Sequence, residues 1–288
     1  MDMALKRDNI QQPEISVAVI AMNCREHVRR LVDSLKIPLN GISHEIVFVD
    51  NASTDGTVEM LKSDYSNIVL IENKRNNGVS LARNQALKNC RGKYIYIVDA
   101  DCEYQEGDFK EATRYLEDNS HVGLLGFRMY YPSGDLQDSG RTLPTPIHLV
   151  FNRLEGSDRI RESITFRRHR MKDFDPMSLR EAGFVSGASQ FFKRELLNEI
   201  GFLDEKMFYG YEDSDFCARV IKSKKKVVYF PNIVFIHHHQ RLTKKNPLSK
   251  MTLIQIKSYQ IFLKKHAKDL ARINRDLHQK NQPPSFTN

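Results

Sequence analysis

Lys93-Tyr94-Ile95-Tyr96-Ile97-Val98-Asp99-Ala100-Asp101 joins a β-rich apolar run to two carboxylates one residue apart. Strand side chains alternate between faces, so positions i and i+2 point the same way. Two carboxylates on one side of a sheet edge repel each other unless something positive sits between them. A divalent cation carrying a phosphorylated ligand is the usual occupant. The pattern alone is weak, because Asp-x-Asp arises by chance about once in a chain of this length at average residue usage. Asp213-Ser214-Asp215 is a second instance. What gives the first one weight is its position.

Upstream, short β-rich runs alternate with helical patterns. Residues 15–20 read as a buried strand, 25–36 as a helix closed before Pro38, and 45–49 as a second strand ending at Asp50. Residues 51–56 are turn chemistry, with Ser53 or Thr54 as N-cap of a helix reaching Leu61. A strand over 68–71, a helix over 79–88 and a strand over 94–98 follow. This repetition predicts an α/β fold with a doubly wound, mostly parallel central sheet flanked by helices. Ligands bind such sheets beyond the carboxyl ends of the strands, at the switch point. Asp50, Asp99 and Asp101 all fall there. No G-x-G-x-x-G follows the first strand and no Walker loop is present, which disfavours a dinucleotide oxidoreductase and a P-loop NTPase.

Downstream, the spacing predicts a helix over 107–119, a strand over 122–130 and a turn over 132–135. Residues 159–172 are strongly basic with weak periodicity and read as a loop or lid. Short strand character surrounds the small residues of 182–192, and helices are expected over 195–200 and 212–222. Strands over 226–230 and 233–236 are separated by Pro231 and lead into His237-His238-His239. A long helix begins near Leu248. Leu248, Met251, Tyr259, Phe262, Leu263 and Leu270 gather on one side of it, and Lys250, Lys257, Lys264 and Lys268 on the other. Two readings stay open: packing on the domain with a solvated lysine face, or attachment to an anionic membrane surface.

The 288 residues suffice for one large α/β domain with a helical appendage. A net charge of +8 fits nucleic acid, an anionic membrane surface, a polyanionic small ligand, or simply a solvated basic surface. The four cysteines, Cys24, Cys90, Cys102 and Cys217, are scattered without a CxxC pair and read as reduced thiols. Residues 1–14 lack the apolar segment of a signal peptide, and no apolar run approaches the ~18 residues of a membrane span. A cytoplasmic protein, at most peripheral at the inner face of the membrane, is expected.

An ordered set of motifs remains: Val49-Asp50-Asn51-Ala52-Ser53-Thr54-Asp55-Gly56, Asn76-Asn77-Gly78 with Ala82-Arg83-Asn84, and Asp99-Ala100-Asp101. Ser186-Gly187-Ala188 comes later, then Gly201-Phe202-Leu203-Asp204-Glu205 running into Tyr209-Gly210-Tyr211-Glu212-Asp213-Ser214-Asp215-Phe216. Over 15–242 the chain resembles family 2 glycosyltransferases of the GT-A fold, in particular the rhamnosyltransferase-like enzymes of cell-surface polysaccharide synthesis. The organisation expected is a flexible 1–14, a catalytic domain over 15–242, a helical extension over 243–279 and a disordered tail over 280–288. Within the domain, 15–101 would hold the nucleotide and 102–242 the acceptor.

The resemblance implies roles for single residues. Asp50 accepts a hydrogen bond from the imide N–H of uracil or thymine, while Asn23, Arg83 and Asn84 help seat the nucleotide. Asp99 contacts the ribose or a metal-bound water, and Asp101 ligates Mn²⁺ or Mg²⁺. His237 completes the metal shell, with His239 on the same side of an extended chain. Gly187, Ala188 and Glu212 stand where donor and acceptor sugars meet, and Asp213 is the base, with Asp215 as a neighbour. Gln137 and Arg141 belong to a stretch resembling the rhamnosyltransferase-like subgroup, where Arg141 reads as a phosphate contact or as an exposed loop side chain. Cys102 departs from the acidic or polar residue common after the metal carboxylates. With no Trp, the chain lacks the Gln-x-x-Arg-Trp motif of processive synthases.

The implied activity is metal-dependent, inverting transfer of one sugar from a UDP- or dTDP-sugar, dTDP-rhamnose among them, to a hydroxyl of a glycan or lipid-linked acceptor. Two other classes compete. A sugar nucleotidyltransferase would carry a Gly-rich triphosphate loop where Ala21-Met22-Asn23-Cys24 stands. A basic nucleic-acid-binding module would use 159–172, yet no RNP, KH or recognition-helix motif is present, and no nucleic-acid partner is expected. An inactive relative would be expected to have lost some of Asp50, Asp99, Asp101 and Asp213.

Overall fold

The β-rich runs and helical patterns of the first hundred residues form successive βα units in a computed structural model that describes residues 12–154, 156–238 and 249–281. In chain order these are β1 (Ile15–Ala21), α1 (Arg25–Leu35), β2 (His44–Asp50), α2 (Thr57–Asp64), β3 (Val69–Glu72), α3 (Val79–Asn89) and β4 (Tyr94–Asp99). Then come β5 (Cys102–Glu106), α4 (Phe109–Asp118), β6 (Val122–Tyr130), β7 (Gly140–Arg141), α5 (Pro146–Arg153), α6 (Asp158–Arg161) and α7 (Ile164–Arg170). The remainder is β8 (Arg180–Ala182), β9 (Phe184–Val185), β10 (Ser189–Lys193), α8 (Leu196–Ile200), α9 (Glu212–Lys222), β11 (Lys226–His237) and α10 (Lys250–Lys280).

The main sheet runs β3-β2-β1-β4-β10-β6-β11-β5, with β8 added on β11. Strands β3, β2, β1 and β4 are mutually parallel, β10 is antiparallel to both its neighbours, and β6 and β11 are parallel again. The result is a mixed, mostly parallel sheet covered by helices on both faces. Strand alternation explains the two cores. Tyr94, Tyr96 and Val98 of β4 pack into one, and Ile95 and Ile97 into the other. The chain turns from β1 to β2 on one side and to β4 on the other, so the switch point lies at the end of β1.

Three expectations change, and one strand is added. The start of α2 is not capped by Ser53 or Thr54: Gly56 holds the cap position at φ +82°, and Asp55 Oδ1 accepts the Thr57 N–H at 3.1 Å. The basic segment is not a loop but α6 and α7. Ser163 caps α7, and Phe166 and His169, three residues apart, turn inward and bury, while Arg168 is exposed and Arg170 is held by Asp138. Pro231 does not divide two strands. β11 runs through it, with the register shifting between Phe230 and Val234, where a missing N–H is tolerated. A further strand, β5, follows the Asp99-Ala100-Asp101 turn and pairs with β11.

Helix α10 packs on the domain. Tyr259, Phe262, His266, Leu270, Ile273 and Leu277 bury at helical spacing, and Lys250, Lys257, Lys264 and Lys268 stay exposed. The helix continues through Lys280, one residue beyond the expected extension. Leu248, His239, residues 1–11 and residues 282–288 lie outside the described residues, and with them the proposed ligand role of His239 and most of both expected terminal segments. Among the described residues no helix is long and apolar enough to cross a membrane.

Candidate active site

The ends of β2 and β4 flank the end of β1, with Asp50 in register with Ala21 and Asp99 with Ile20. Two strand spacings separate the two carboxylates, about 10 Å along the rim. Asp50 is 2% exposed; its Oδ2 accepts the Ser53 N–H at 2.9 Å, and its buried Oδ1 has no hydrogen-bond partner among the described residues. Beside this rim opens a cavity of about 430 Å³, lined among others by Arg83, Asp99, Asp101, Glu212, Asp213 and His237.

Arg83 organises the carboxylates. Its buried guanidinium reaches Asp99 Oδ1 at 2.5 Å and Glu212 Oε1 at 3.2 Å. Burial works against its charge, but Asp99, Glu212 and Asp213 together hold it above its usual range. One cation facing three carboxylates leaves an excess of negative charge. Burial, then Asp213, push Glu212 up to about 7 despite Arg83, and Glu212 Oε2 is buried without a partner among the described residues.

Gly187 makes this crowding possible, since a Cβ there would lie 2.6 Å from Arg83 Nη1 and 3.1 Å from Asp213 Cβ. Its N–H donates to Asp213 Oδ2 at 3.2 Å, and Asp213 Oδ1 accepts the Ser214 N–H at 2.7 Å. The buried Ala188 accepts the Asp99 N–H on its carbonyl at 3.2 Å, tying this turn to β4. Gly210 and Tyr211 take φ of +79° and +66°, a bend that starts α9 at the cavity wall with Glu212 and Asp213 in its first turn. Tyr211 rests on Tyr259 of α10, ring centroids 4.8 Å apart.

On another wall, His237 Nε2 lies 3.3 Å from Asp101 Oδ1. The ring is held from behind, because Nδ1 faces Gln137 Oε1 at 3.0 Å while Gln137 Nε2 donates to the His237 carbonyl at 2.8 Å. An amide oxygen on Nδ1 selects the tautomer whose Nε2 lone pair faces Asp101. Ligand atoms of Asp101, Cys102 and His237 all lie within 4.8 Å of one another. Burial, then Asp101 and Asp99, keep the Cys102 thiol well above its usual range, so the oxygen and imidazole donors define the pair. Such donors suit Mn²⁺ or Mg²⁺. Asp101 and His237, open to the cavity, fit that group.

Three expected nucleotide contacts do not line the cavity: Asp50, on the rim beside it, and Asn23 and Asn84. Asn84 spends its amide on the Leu203 backbone, at 2.9 and 3.0 Å, and on Glu205 at 3.0 Å, so it braces the loop ahead of α9. Asn23, at φ +52°, accepts the Thr54 N–H at 2.7 Å and braces the loop after Asp50.

Residues 16–201 match the sequence profile described as glycosyl transferase family 2. The chain belongs to that family. A second profile, described as the N-terminal domain of galactosyltransferase, matches 168–243 of this glycosyltransferase. Among curated relatives, the N-acetylglucosaminyl-diphospho-decaprenol L-rhamnosyltransferase of Mycobacterium tuberculosis is 23% identical over 264 residues, 88% of this chain and 85% of that protein. Two solved GT-A structures share the fold. The mannosyltransferase PcManGT from Pyrobaculum calidifontis, solved with GDP-Man and Mn²⁺, superposes with a TM-score of 0.54 at 21% identity, covering 81% of this chain. Staphylococcus aureus TarS 1–349 with UDP gives 0.53 at 19% identity, covering 85% of this chain. The glycosyltransferase spans 59% of the first of those chains and 65% of the second.

Several residues acquire a place that the sequence did not offer. Gln137 stands behind His237, and His169 and Phe184 line the cavity beside Arg141. Asp215, the second carboxylate of its Asp-x-Asp, points away into the protein and pairs with Arg219, Lys265 and His266. The one legible hint was His266, a polar residue within the buried stripe of α10.

Proposed function

We propose that this glycosyltransferase moves a single sugar from a UDP- or dTDP-sugar, dTDP-rhamnose among them, to a hydroxyl of a glycan or lipid-linked acceptor in cell-surface polysaccharide synthesis, with inversion at the anomeric carbon. The observation that most supports this reading is that one cavity takes both the Asp101–His237 pair and Asp213. In it, residues 15–101 hold the nucleotide and 102–242 the acceptor.

Asp50 Oδ1, buried and unpartnered among the described residues, takes the imide N–H of the base. Asp99, partly exposed beside Arg83, takes the ribose. Asp101 and His237 hold Mn²⁺ or Mg²⁺, which when bound supplies Lewis-acid stabilisation of the departing diphosphate. Asp213 accepts the proton of the acceptor hydroxyl as its oxygen bonds to the anomeric carbon, and the bond from that carbon to the diphosphate breaks on the opposite face. Gly187 and Ala188 leave room for the two sugars, and Glu212 faces them beside Arg83. The exposed lysines of α10 suit peripheral contact with an anionic inner membrane surface.

A panel of UDP-, dTDP- and purine-nucleotide sugars, assayed with and without Mn²⁺, tests the donor. Metal-independent or purine-specific turnover overturns it. Asp213→Asn is expected to abolish transfer while nucleotide affinity stays near that of the unsubstituted chain; retained turnover excludes Asp213 as base.

A further inference from the structure

The C-terminal helix reaches the active cavity. Helix α10 begins at Lys250, beyond residue 243 where the matched family profiles end, and it contributes Gln255 to the cavity lining. Gln255 packs against Gly210, the residue whose bend leads into α9. A Cβ at Gly210 would lie 3.2 Å from Gln255 Cγ and 3.3 Å from its Nε2. Thr252 and Tyr259, one turn before and one turn after Gln255, are buried, and the Tyr259 ring supports Tyr211. The helix therefore holds Gln255 at the wall, yet its amide has no hydrogen-bond partner among the described residues.

Tyr209 stands beside it on the same wall. The residues just before Tyr209 are docked on the start of α3. There the Phe208 carbonyl accepts the Val79 N–H at 2.7 Å, and the Met207 carbonyl accepts the Ser80 hydroxyl at 2.5 Å. Gly78 permits this approach, since a Cβ there would lie 2.6 Å from Phe208. Burial first, then the negative charges of Glu212, Asp99, Asp101 and Asp213, raise the Tyr209 phenol above its usual range, so it stays a protonated donor. It too has no hydrogen-bond partner among the described residues.

The two side chains fit one occupant. In an in-line displacement the sugar in transit lies between its departing diphosphate and the incoming oxygen, here between the Asp101–His237 pair and Asp213. Tyr209 borders both groups of carboxylates and so stands beside that sugar. Arg83 is already engaged by Asp99 and Glu212, and His237 by Asp101 and Gln137. What the wall still offers is an uncharged phenol and an uncharged amide, each able to donate and to accept, which match the hydroxyls of a neutral pyranose. A site built to hydrogen-bond a substrate hydroxyl also rejects an analogue that lacks it.

We propose that Gln255 and Tyr209 select the transferred sugar, the amide and the phenol hydrogen-bonding its ring hydroxyls. The assignment rests on the sugar-transfer reading above and makes the C-terminal helix part of the donor site.

The test is calorimetric titration of the full chain in the presence of Mn²⁺, with melting temperature as the fold control. UDP and dTDP are compared with UDP-glucose, UDP-galactose, UDP-N-acetylglucosamine and dTDP-rhamnose. Gln255→Leu and Tyr209→Phe are each expected to weaken the best-bound nucleotide sugar by about tenfold, the worth of one hydrogen bond, while its free nucleoside diphosphate binds as before. The spread of affinities over the four sugars is expected to narrow in both variants. Equal weakening of the nucleotide sugar and the free diphosphate marks a structural role and overturns the proposal. Unchanged binding of the nucleotide sugar by folded variants, or an unchanged spread, overturns it as well. Failure of the sugar-transfer reading shows separately, as no binding of UDP or dTDP with Mn²⁺ by the unsubstituted chain.

Discussion

Nε2 of His266 lies 2.8 Å from Oδ1 of Asp215, joining the C-terminal helix to the helix that begins with Glu212 and Asp213. Lys265 Nζ adds a contact at 2.6 Å and Arg219 Nε another at 2.8 Å, all to a carboxylate with no exposed surface. Together with Tyr211 on Tyr259, this makes α10 part of the wall that presents the carboxylates.

Removing one partner of a buried ion pair strands the others, at a cost of about 3 kcal/mol or more. Asp215→Asn is therefore expected to lower unfolding stability by about that much in urea titrations. Burial opposes ionisation of Asp215, but His266, Arg219 and Lys265 prevail and hold it well below its ordinary 3.8. Its stabilisation is thus complete above 3.8 and is lost as pH falls through the lower folded value. An acid titration should show that loss in the unsubstituted chain and little of it in Asp215→Asn.

Glu212 has the opposite sign. Its folded carboxyl sits at about 7 against an ordinary 4.5, so its protonated form stabilises the fold below 4.5 and that contribution fades as pH rises through about 7. Melting temperatures measured from pH 5 upward should carry this downward component, and Glu212→Gln should flatten it. An unaltered slope in the variant would locate the effect elsewhere.

The sequence showed the elements whose patterns are local. Strand β4 was readable because Tyr94, Tyr96 and Val98 alternate with Ile95 and Ile97 onto two cores, and α9 because its apolar residues repeat at helical spacing. Strand β5 was not, since only Cys102 and Tyr104 bury in it, an alternation of two apolar residues among Glu103, Gln105 and Glu106 that is too short to stand out. Helices α6 and α7 were hidden because three arginines in the last turn of α7, Arg167, Arg168 and Arg170, outweigh the two buried residues, Phe166 and His169. Arg83 was read as a nucleotide contact from its motif. That it joins Asp99 to Glu212, a residue 129 positions away, is a tertiary fact that no local window contains.

Arg83 and Asp213 both close in on Gly187 and leave no space for a methyl group. Gly187→Ala would put carbon 2.6 Å from Arg83 Nη1, and the guanidinium, pinned by two carboxylates, must shift. The expected result is a folded protein with kcat for transfer reduced about 100-fold, as misplacement of catalytic groups by about 1 Å costs. Single-turnover assays beside a thermal melt check this; normal kcat would show that Arg83 relocates without disturbing Asp213.

Gln137 offers a test of how His237 is aimed. The amide grips both Nδ1 and the carbonyl of the same histidine, so it fixes tautomer and ring orientation together. Supporting contacts of this kind change metal affinity by about 10- to 100-fold. Gln137→Leu is expected to weaken Mn²⁺ binding by at least tenfold in titrations followed by electron paramagnetic resonance, while Gln137→Glu, which keeps an acceptor on Nδ1, retains most of it. Leucine and glutamate variants that bind Mn²⁺ equally would mean that Asp101 and the β11 backbone alone orient the ring. A loss confined to leucine would tie metal affinity to the hydrogen bond on the far side of His237.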